Sequence, residues 1–321
     1  MLFYIIIVLF QFIYILNNTI DKKNLRKLLE ENYVIGKLYI NQTNTPETII
    51  NSGPYNKQEI ENTEIYINNE KISFTYFYTF PQIGEYTIKY KFNSPIINMD
   101  RLFSRINSLI SLDLSHFNSS LVTNMDSTFR ECKSLISIDL SNFDSSQVTY
   151  MGGLFMDSES IISLDLTSFV TSKVTDMRNM FHGCLDLKSL DLSSFDTKRV
   201  NNMIFMFYGC VSLVSLDLTN FITPNLQEIR HMFDSCHFLE NLLIPNLDTS
   251  KVVNMENLFS NCKAIKTLDL SHLKFDKLKN IEYMFYGCSS LELIIFPINF
   301  NSSNVFKEFA YDGCDADIIR K

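Results

Sequence analysis

One register of residues recurs every 26 positions without slipping: Leu109, Leu135, Ile161, Leu187, Leu213, Leu239, Ile265 and Leu291 each open a unit. Eight units run from Leu109 to Ala316, and a partial one, residues 83–108, keeps Met99 and Phe103 in phase ahead of them. A unit this short cannot bury its own apolar faces, so neighbouring units must stack into a solenoid. The 321 residues, enough for about two ordinary domains, are therefore expected to share one elongated core.

Each unit has a chemical order. After Leu187, the inward Leu190 and Leu192 alternate with Ser189, Asp191 and Ser193, the period-two pattern of a strand with one buried face. A Phe follows, as at Phe117, Phe143, Phe169, Phe195 and Phe221, then a polar turn such as Asp196 to Arg199 and an inward Val. Thr175 to Gly183 then carries Met177, Met180 and Phe181 at i, i+3 and i+4. With Thr175 as N-cap and Gly183 past the end, this spacing predicts about two helical turns. The expected fold class is an α/β solenoid, a leucine-rich-repeat-like right-handed stack of strand–turn–short-helix coils. Its parallel strands, about 4.8 Å apart, make a sheet roughly 40 Å long.

An open coil end exposes apolar side chains and strand edges, so both ends need covers. Residues 19–82 are expected to form a small β-rich N-terminal cap. Hairpin strands are expected over Val34–Ile40, Glu64–Ile67, Lys71–Phe80 and Tyr86–Phe92, the last running into the first coil. The solenoid is expected over 83–316. Its last coil, 291–316, departs from the consensus at Ile294, Ile295, Phe296 and Pro297 and reads as a terminal cap, and 317–321 reads as a tail.

Leu2 to Leu16 is apolar apart from Gln11, and no charge precedes Asp21. The run is shorter than the roughly 20 residues that span a bilayer. Residues 1–18 therefore read as a secretory signal peptide, with an uncleaved signal anchor as the alternative. The expected location is secreted or cell-surface. Export makes Asn17, Asn41, Asn118 and Asn301, each opening an N-x-[ST] triplet, candidate glycosylation sites.

The formal net charge of −8 argues against a general electrostatic grip on nucleic acid or anionic lipid. Only 9 glycines are present, and no dinucleotide-binding, P-loop, zincin or nucleophile-elbow motif occurs. The five histidines, at 116, 182, 231, 237 and 272, have no Cys, Ser or acid at catalytic spacing and read as surface residues. No enzyme activity and no cofactor are expected.

Three files of equivalent residues stand out. Cys132, Cys184, Cys210, Cys236, Cys262, Cys288 and Cys314 share one repeat position, with Ser158 filling it once. One straight file of thiols suits buried structural packing and suits neither a disulfide framework nor a tetrahedral metal site. Asp113, Asp139, Asp165, Asp191, Asp217 and Asp269 form an outward file beside Ser111, Ser137, Ser163, Ser189 and Ser215. Carboxylates about 4.8 Å apart repel by roughly 0.9 kcal/mol in water, so the file is expected to be strained and Asp191→Asn neutral or stabilising. Neighbouring hydroxyls and water solvate the acids in the simplest reading. In the functional one these strand positions are a ligand-binding face for a basic segment, or a weak Ca²⁺ site. The Met file (125, 151, 177, 203, 255) and the Phe file (129 to 285) recur at helical spacing and belong to the core.

The unit carried between Leu187 and Cys210, Leu-x-x-Leu-Asp-Leu-Ser-x-Phe-Asp-x-x-x-Val followed by Met-x-x-Met-Phe-x-Gly-Cys, resembles the repeat of the BspA-like leucine-rich repeat surface proteins over 83–316. The resemblance implies an exported surface protein that adheres to host, matrix or neighbouring cells through its exposed strand positions, and it brings no catalytic residues. Phe117 and its equivalents depart from the commonest leucine-rich repeat, which has Asn or Cys there. The expected function is a secreted or cell-surface binding protein for a protein or glycan partner on another cell or matrix, with a structural coat component as the alternative. No nucleic acid is expected to bind, and a membrane only through an N-terminal anchor.

Overall fold

The computed structural model describes residues 32–301, 303 and 305–321. The apolar segment at 1–18, and Asn17 within it, lie outside the described residues. An antiparallel cap comes first: β1 (Tyr33–Ile40), β2 (Pro46–Thr48), a single helical turn α1 (Lys57–Ile60), β3 (Glu64–Ile67), β4 (Glu70–Ile72), β5 (Phe77–Thr79) and β6 (Gly84–Lys91). Nine rungs follow: β7 (Leu109–Asp113), β8 (Ser137–Asp139), β9 (Ser163–Leu164), β10 (Ser189–Leu190), β11 (Ser215–Asp217), β12 (Asn241–Leu243), β13 (Thr267–Asp269), β14 (Leu293–Phe296) and β15 (Asp317–Arg320).

The cap closes the first coil on two sides. β1 pairs antiparallel with β6 and with β7, giving the sheet order β4-β3-β6-β1-β7-β8. On the other side, the N–H groups of Asn51 and Gly53 bond to the carbonyls of Leu102 and Asp100, and Asn56 Nδ2 bonds to those of Asn98 and Asp100. A Cβ on Gly53 would lie 2.0 Å from the Asp100 carboxylate, so only glycine permits this approach. The partial unit at 83–108 is thus divided. Residues 84–91 serve the antiparallel cap, and the solenoid ladder begins at Asn98, which bridges in parallel to Asn124.

The strand rungs are in register at 26 residues, as Ser163 with Ser189 and Ser215 with Asn241 show. They are two to five residues long and fall into separate hydrogen-bonded pieces, β9 with β10, β11 with β12, and β13 with β14 and β15, rather than one continuous sheet. A tight turn at each end of the rung leaves no room for a longer strand. Continuity comes from a second ladder along the opposite side of the coil.

That second ladder replaces the expected helix. Met177, Asn179, Phe181 and Gly183 send their N–H groups to the carbonyls of Asn202, Ile204, Met206 and Tyr208 in the next coil. Met180, His182 and Cys184 instead bond back to Met177, Asn179 and Phe181. The backbone can alternate this way because two residues per coil sit at positive φ, here Asn179 at 55° and Gly183 at 69°. A chain of three-residue turns returns to the core at i, i+3 and i+4 just as a helix does, so the apolar spacing could not separate the two. Thr175 is not an N-cap either: its N–H joins the ladder, bonding to the Thr149 carbonyl.

Residues 317–321 are not a tail. β15 pairs in parallel with β14, Leu293 against Asp317, at a spacing of 24 residues. The link from Cys314 is two residues shorter than in earlier coils, which removed this rung from the 26-residue pattern.

The core is a bundle of files. Phe103, Phe129, Phe155, Phe181, Phe207, Phe233, Phe259 and Phe285 stack with centroids 5.4–6.1 Å apart and ring planes within 19° of parallel. Phe117, Phe143 and Phe169 make a second stack at 6.2 and 5.8 Å in the position where leucine-rich repeats commonly carry asparagine. The six thiols from Cys132 to Cys288 are buried and unpaired, and Cys314 is half-buried.

Candidate binding face on the strand side

The Asp file is built by the turn that ends each strand. In every one of these coils the carboxylate accepts the backbone N–H two residues on: Ser115 to Asp113, Ser141 to Asp139, Thr167 to Asp165, Ser193 to Asp191, Thr219 to Asp217 and Ser271 to Asp269, at 2.8–3.1 Å. The hydroxyls of Thr167, Thr219 and Ser271 donate to the same oxygen at 2.5–2.6 Å. These bonds correct the expectation of a strained file. Hydroxyl and N–H donors hold the pKa values of Asp139, Asp165, Asp217 and Asp269 below the usual carboxylate value, and at Asp191 the backbone N–H of Ser193 leads. Repulsion from the neighbouring acid is the weaker influence at Asp139 and Asp165.

In each of the six acids the turn N–H is accepted by Oδ1. Among the described residues none of the six forms an ion pair, whereas Glu131, Glu159, Asp196 and Asp248 on other sides of the coil pair with Arg105, Lys133, Lys198 and Lys274. Asp139, Asp165, Asp191, Asp217 and Asp269 are exposed and Asp113 is half-buried. Ser137, Ser163, Ser189 and Ser215 are exposed beside them and Ser111 is half-buried. Ser163, Ser189 and Ser215 with Asp191, Asp217 and Thr219 line a trough of about 600 Å³ across β9, β10 and β11. A third file has no clear mark in the sequence: Ile136, Ile162 and Val214, one residue before the serines, are 52%, 45% and 44% exposed, with the exposed Lys188 standing between Ile162 and Val214.

The remaining candidates fall elsewhere. Asn41 and Asn301 are exposed, whereas Asn118 is half-buried and its side-chain oxygen holds Ser120. His182 and His231 are not isolated surface residues. His182 stacks on Tyr208 at 4.6 Å and His231 on Phe205 at 4.5 Å, along the turn ladder opposite the strand side. Among the described residues no cluster of His, Cys, Asp or Glu is placed to hold a metal ion, and no helix is long and apolar enough to cross a membrane.

With the coil geometry established, the family can be read. The profile described as "Mycoplasma protein of unknown function, DUF285" matches residues 97–214, 158–247 and 210–312, together about two thirds of the chain. The chain belongs to this family. The three matches overlap within the repeat array and begin where the solenoid ladder begins, so the resemblance drawn from the repeat unit is borne out at the level of a repeat family. No curated protein matches the chain. Among solved structures, a leucine-rich repeat protein from Bacteroides ovatus is similar at a TM-score of 0.41 and 17% identity, over 76% of this chain and 62% of that one. The chain thus spans less than two thirds of that protein. A leucine rich cell surface protein from Faecalibacterium prausnitzii is similar at a TM-score of 0.24 and 16% identity, over 78% of this chain and 85% of that one.

Proposed function

We propose that this DUF285-family chain is a secreted or cell-surface binding and adhesion protein whose strand side takes up a basic, partly apolar segment of a partner protein. The observation that carries this reading is the file of six carboxylates without ion-pair partners among the described residues, running beside exposed serines and the exposed Ile136, Ile162 and Val214, with the cation Lys188 between Ile162 and Val214. An ionised acid whose turn-forming oxygen is already satisfied offers its other oxygen outward at no cost in fold stability. Repetition then adds many weak, equal contacts along one partner. A neutral glycan could hydrogen-bond to the carboxylates but would leave their charge uncompensated, whereas a cationic peptide would neutralise it. The apolar run from Leu2 to Leu16 supports export.

Titration of the full chain with a synthetic peptide alternating Lys and Leu tests the reading. Saturable binding that weakens as salt is raised is expected. Combined Asp165→Asn, Asp191→Asn and Asp217→Asn should abolish it while leaving the fold intact, because Asn accepts the same backbone N–H. Non-saturable binding, as a coat component without a ligand would give, or binding unmoved by the triple change, would contradict it.

A further inference from the structure

The turn that leaves each strand carries a cationic file on one edge of the coil. Gln147, Lys173, Arg199, Asn225, Lys251 and Lys277 succeed one another at 26 residues, all exposed except the half-buried Lys173, and no acid interrupts them. None of the four cations forms an ion pair among the described residues, whereas Lys133, Lys198 and Lys274 pair with Glu159, Asp196 and Asp248. Neutral amides hold two of them instead: Lys173 Nζ donates to Gln147 Oε1 at 2.6 Å and Lys251 Nζ to Asn225 Oδ1 at 2.9 Å. Each contact uses one of the three ammonium N–H donors and none of the charge. The backbone beneath is fixed as well, since the buried Thr171, Thr197 and Thr249, two residues before Lys173, Arg199 and Lys251, donate to carbonyls of the next coil. In the flanking files, Ser172 to Asp276 and Thr175 to Lys279, Lys198 and Lys279 add positive charge and Asp276 is the one acid.

We propose that this edge binds a linear sulfated polysaccharide laid along the solenoid axis. Coils about 4.8 Å apart set Lys173 and Lys277 about 19 Å from each other, so the four cations meet an extended polyanion at several points. Cations already held in place, with their charge intact, lose little freedom on binding, and the Arg199 fork suits a tetrahedral oxyanion. Dense sulfate groups match closely spaced cations better than the sparser carboxylates of an unsulfated chain. Ser172 and Asn201 stand exposed beside the cations and can bond to sugar hydroxyls. From Gln147 to Lys279 the three files hold no aromatic side chain, which leaves nothing for nucleic-acid bases to stack on. The proposal is independent of what the strand side binds.

Calorimetric titration of the full chain with heparin tests this. Saturable binding that weakens steeply as salt is raised is expected. Lys173→Gln with Arg199→Gln, or Lys251→Gln with Lys277→Gln, should each weaken it by about tenfold and flatten its salt dependence. All four changes together should abolish binding and leave the melting temperature unchanged. Lys133→Gln with Lys263→Gln removes the same charge from exposed positions on the turn that enters the strand, and should alter affinity by less than about twofold. Desulfated heparin and a single-stranded oligothymidylate should bind at least about tenfold more weakly than heparin. Absence of heparin binding at low salt, equal losses in the Lys133 and Lys263 variant, affinity unmoved by both edge pairs, or equal affinity for desulfated heparin or the oligonucleotide overturns the proposal.

Discussion

Cys210 Sγ donates to the carbonyl of Phe181, 29 residues earlier, at 3.1 Å. The same bond recurs from Cys132 to Phe103, Cys184 to Phe155, Cys236 to Phe207, Cys262 to Phe233 and Cys288 to Phe259. Where the file holds serine, Ser158 Oγ bonds to the Phe129 carbonyl at 2.6 Å. The thiols are therefore coil-to-coil donors as well as packing groups. Cys210→Ser should cost well under about 1 kcal/mol, whereas Cys210→Val should cost about 1 kcal/mol by removing the second donor to a carbonyl that keeps the Cys184 N–H. Denaturant midpoints of the two variants check the order.

Thiol reactivity follows from the same file. Burial pushes the Cys132 and Cys288 thiols up to about 12, and Cys210, Cys236 and Cys262 well above the ordinary value. Alkylation of the native protein near pH 8 should modify the half-buried Cys314 first and the other six only on unfolding. Peptide mass mapping after brief labelling reads this, and early modification of Cys210 would show that the file is open to solvent.

A second polar file is buried. Ser119, Ser145, Thr171, Thr197, Thr223 and Thr249 are at most 2% exposed. Thr171 Oγ1 accepts the Asp196 N–H at 2.8 Å and donates to the Asp196 carbonyl at 3.1 Å, tying one coil to the next. Thr171→Val keeps the volume and strands both backbone groups, so a loss of about 1–3 kcal/mol is expected in chemical denaturation. Little or no change would mean that the clasp is not formed.

Acid stability should fall in two windows. His182 and His272 have pKa values lowered from 6.5 by burial, so the unfolded chain binds more protons as pH drops through that value and stability declines. The Asp file has lowered pKa values, so its contribution is full above the unfolded carboxylate value of about 3.9 and is lost as pH falls through the folded values. Asp100 and Asp126, raised by burial, act in the opposite direction. Melting temperatures measured from pH 7 to pH 3 should show both declines. His182→Phe should reduce the first and leave the second.

Gly183 tests the turn ladder. Its φ is +69° and an added Cβ would lie 2.5 Å from Asp157 Oδ1. Gly183→Val combines a left-handed backbone penalty of about 1–2 kcal/mol with that collision, whereas Gly183→Asn meets the collision with a residue that tolerates the backbone. The melting temperature should fall more for Val than for Asn. Equal effects would mean that position 183 does not hold a left-handed backbone.

Leu112, Cys210, Phe207 and Met203 were legible as core because burial repeats every 26 residues and leaves apolar types in fixed positions. Polar residues that turn the chain were not. Asn124, Asp176, Asn202 and Asn280 each accept the N–H two residues on, and Thr171 is buried, yet in sequence such residues look like solvated turns. The helix expected over 175–183 failed because successive tight turns and a helix share one apolar spacing. Its Gly183 signal was real but belonged to a left-handed position in each coil. β15 escaped notice because a two-residue shortening moved it off the period. The candidate face is half legible: the alternation marks its acids and serines as outward but not its isoleucines, and the turn-forming role of the acids shows only in the backbone.

Stacking of successive rungs in register is the claim on which the proposed binding face depends. Spin labels at Ser137→Cys and Thr267→Cys, in a Cys314→Ser background, measure it directly, because the two positions lie on the same outward file five rungs apart. Parallel rungs place their backbones about 24 Å apart. A single narrow distance distribution near that value is the expected result. A broad distribution, or one centred well beyond it, would show that the rungs do not lie side by side.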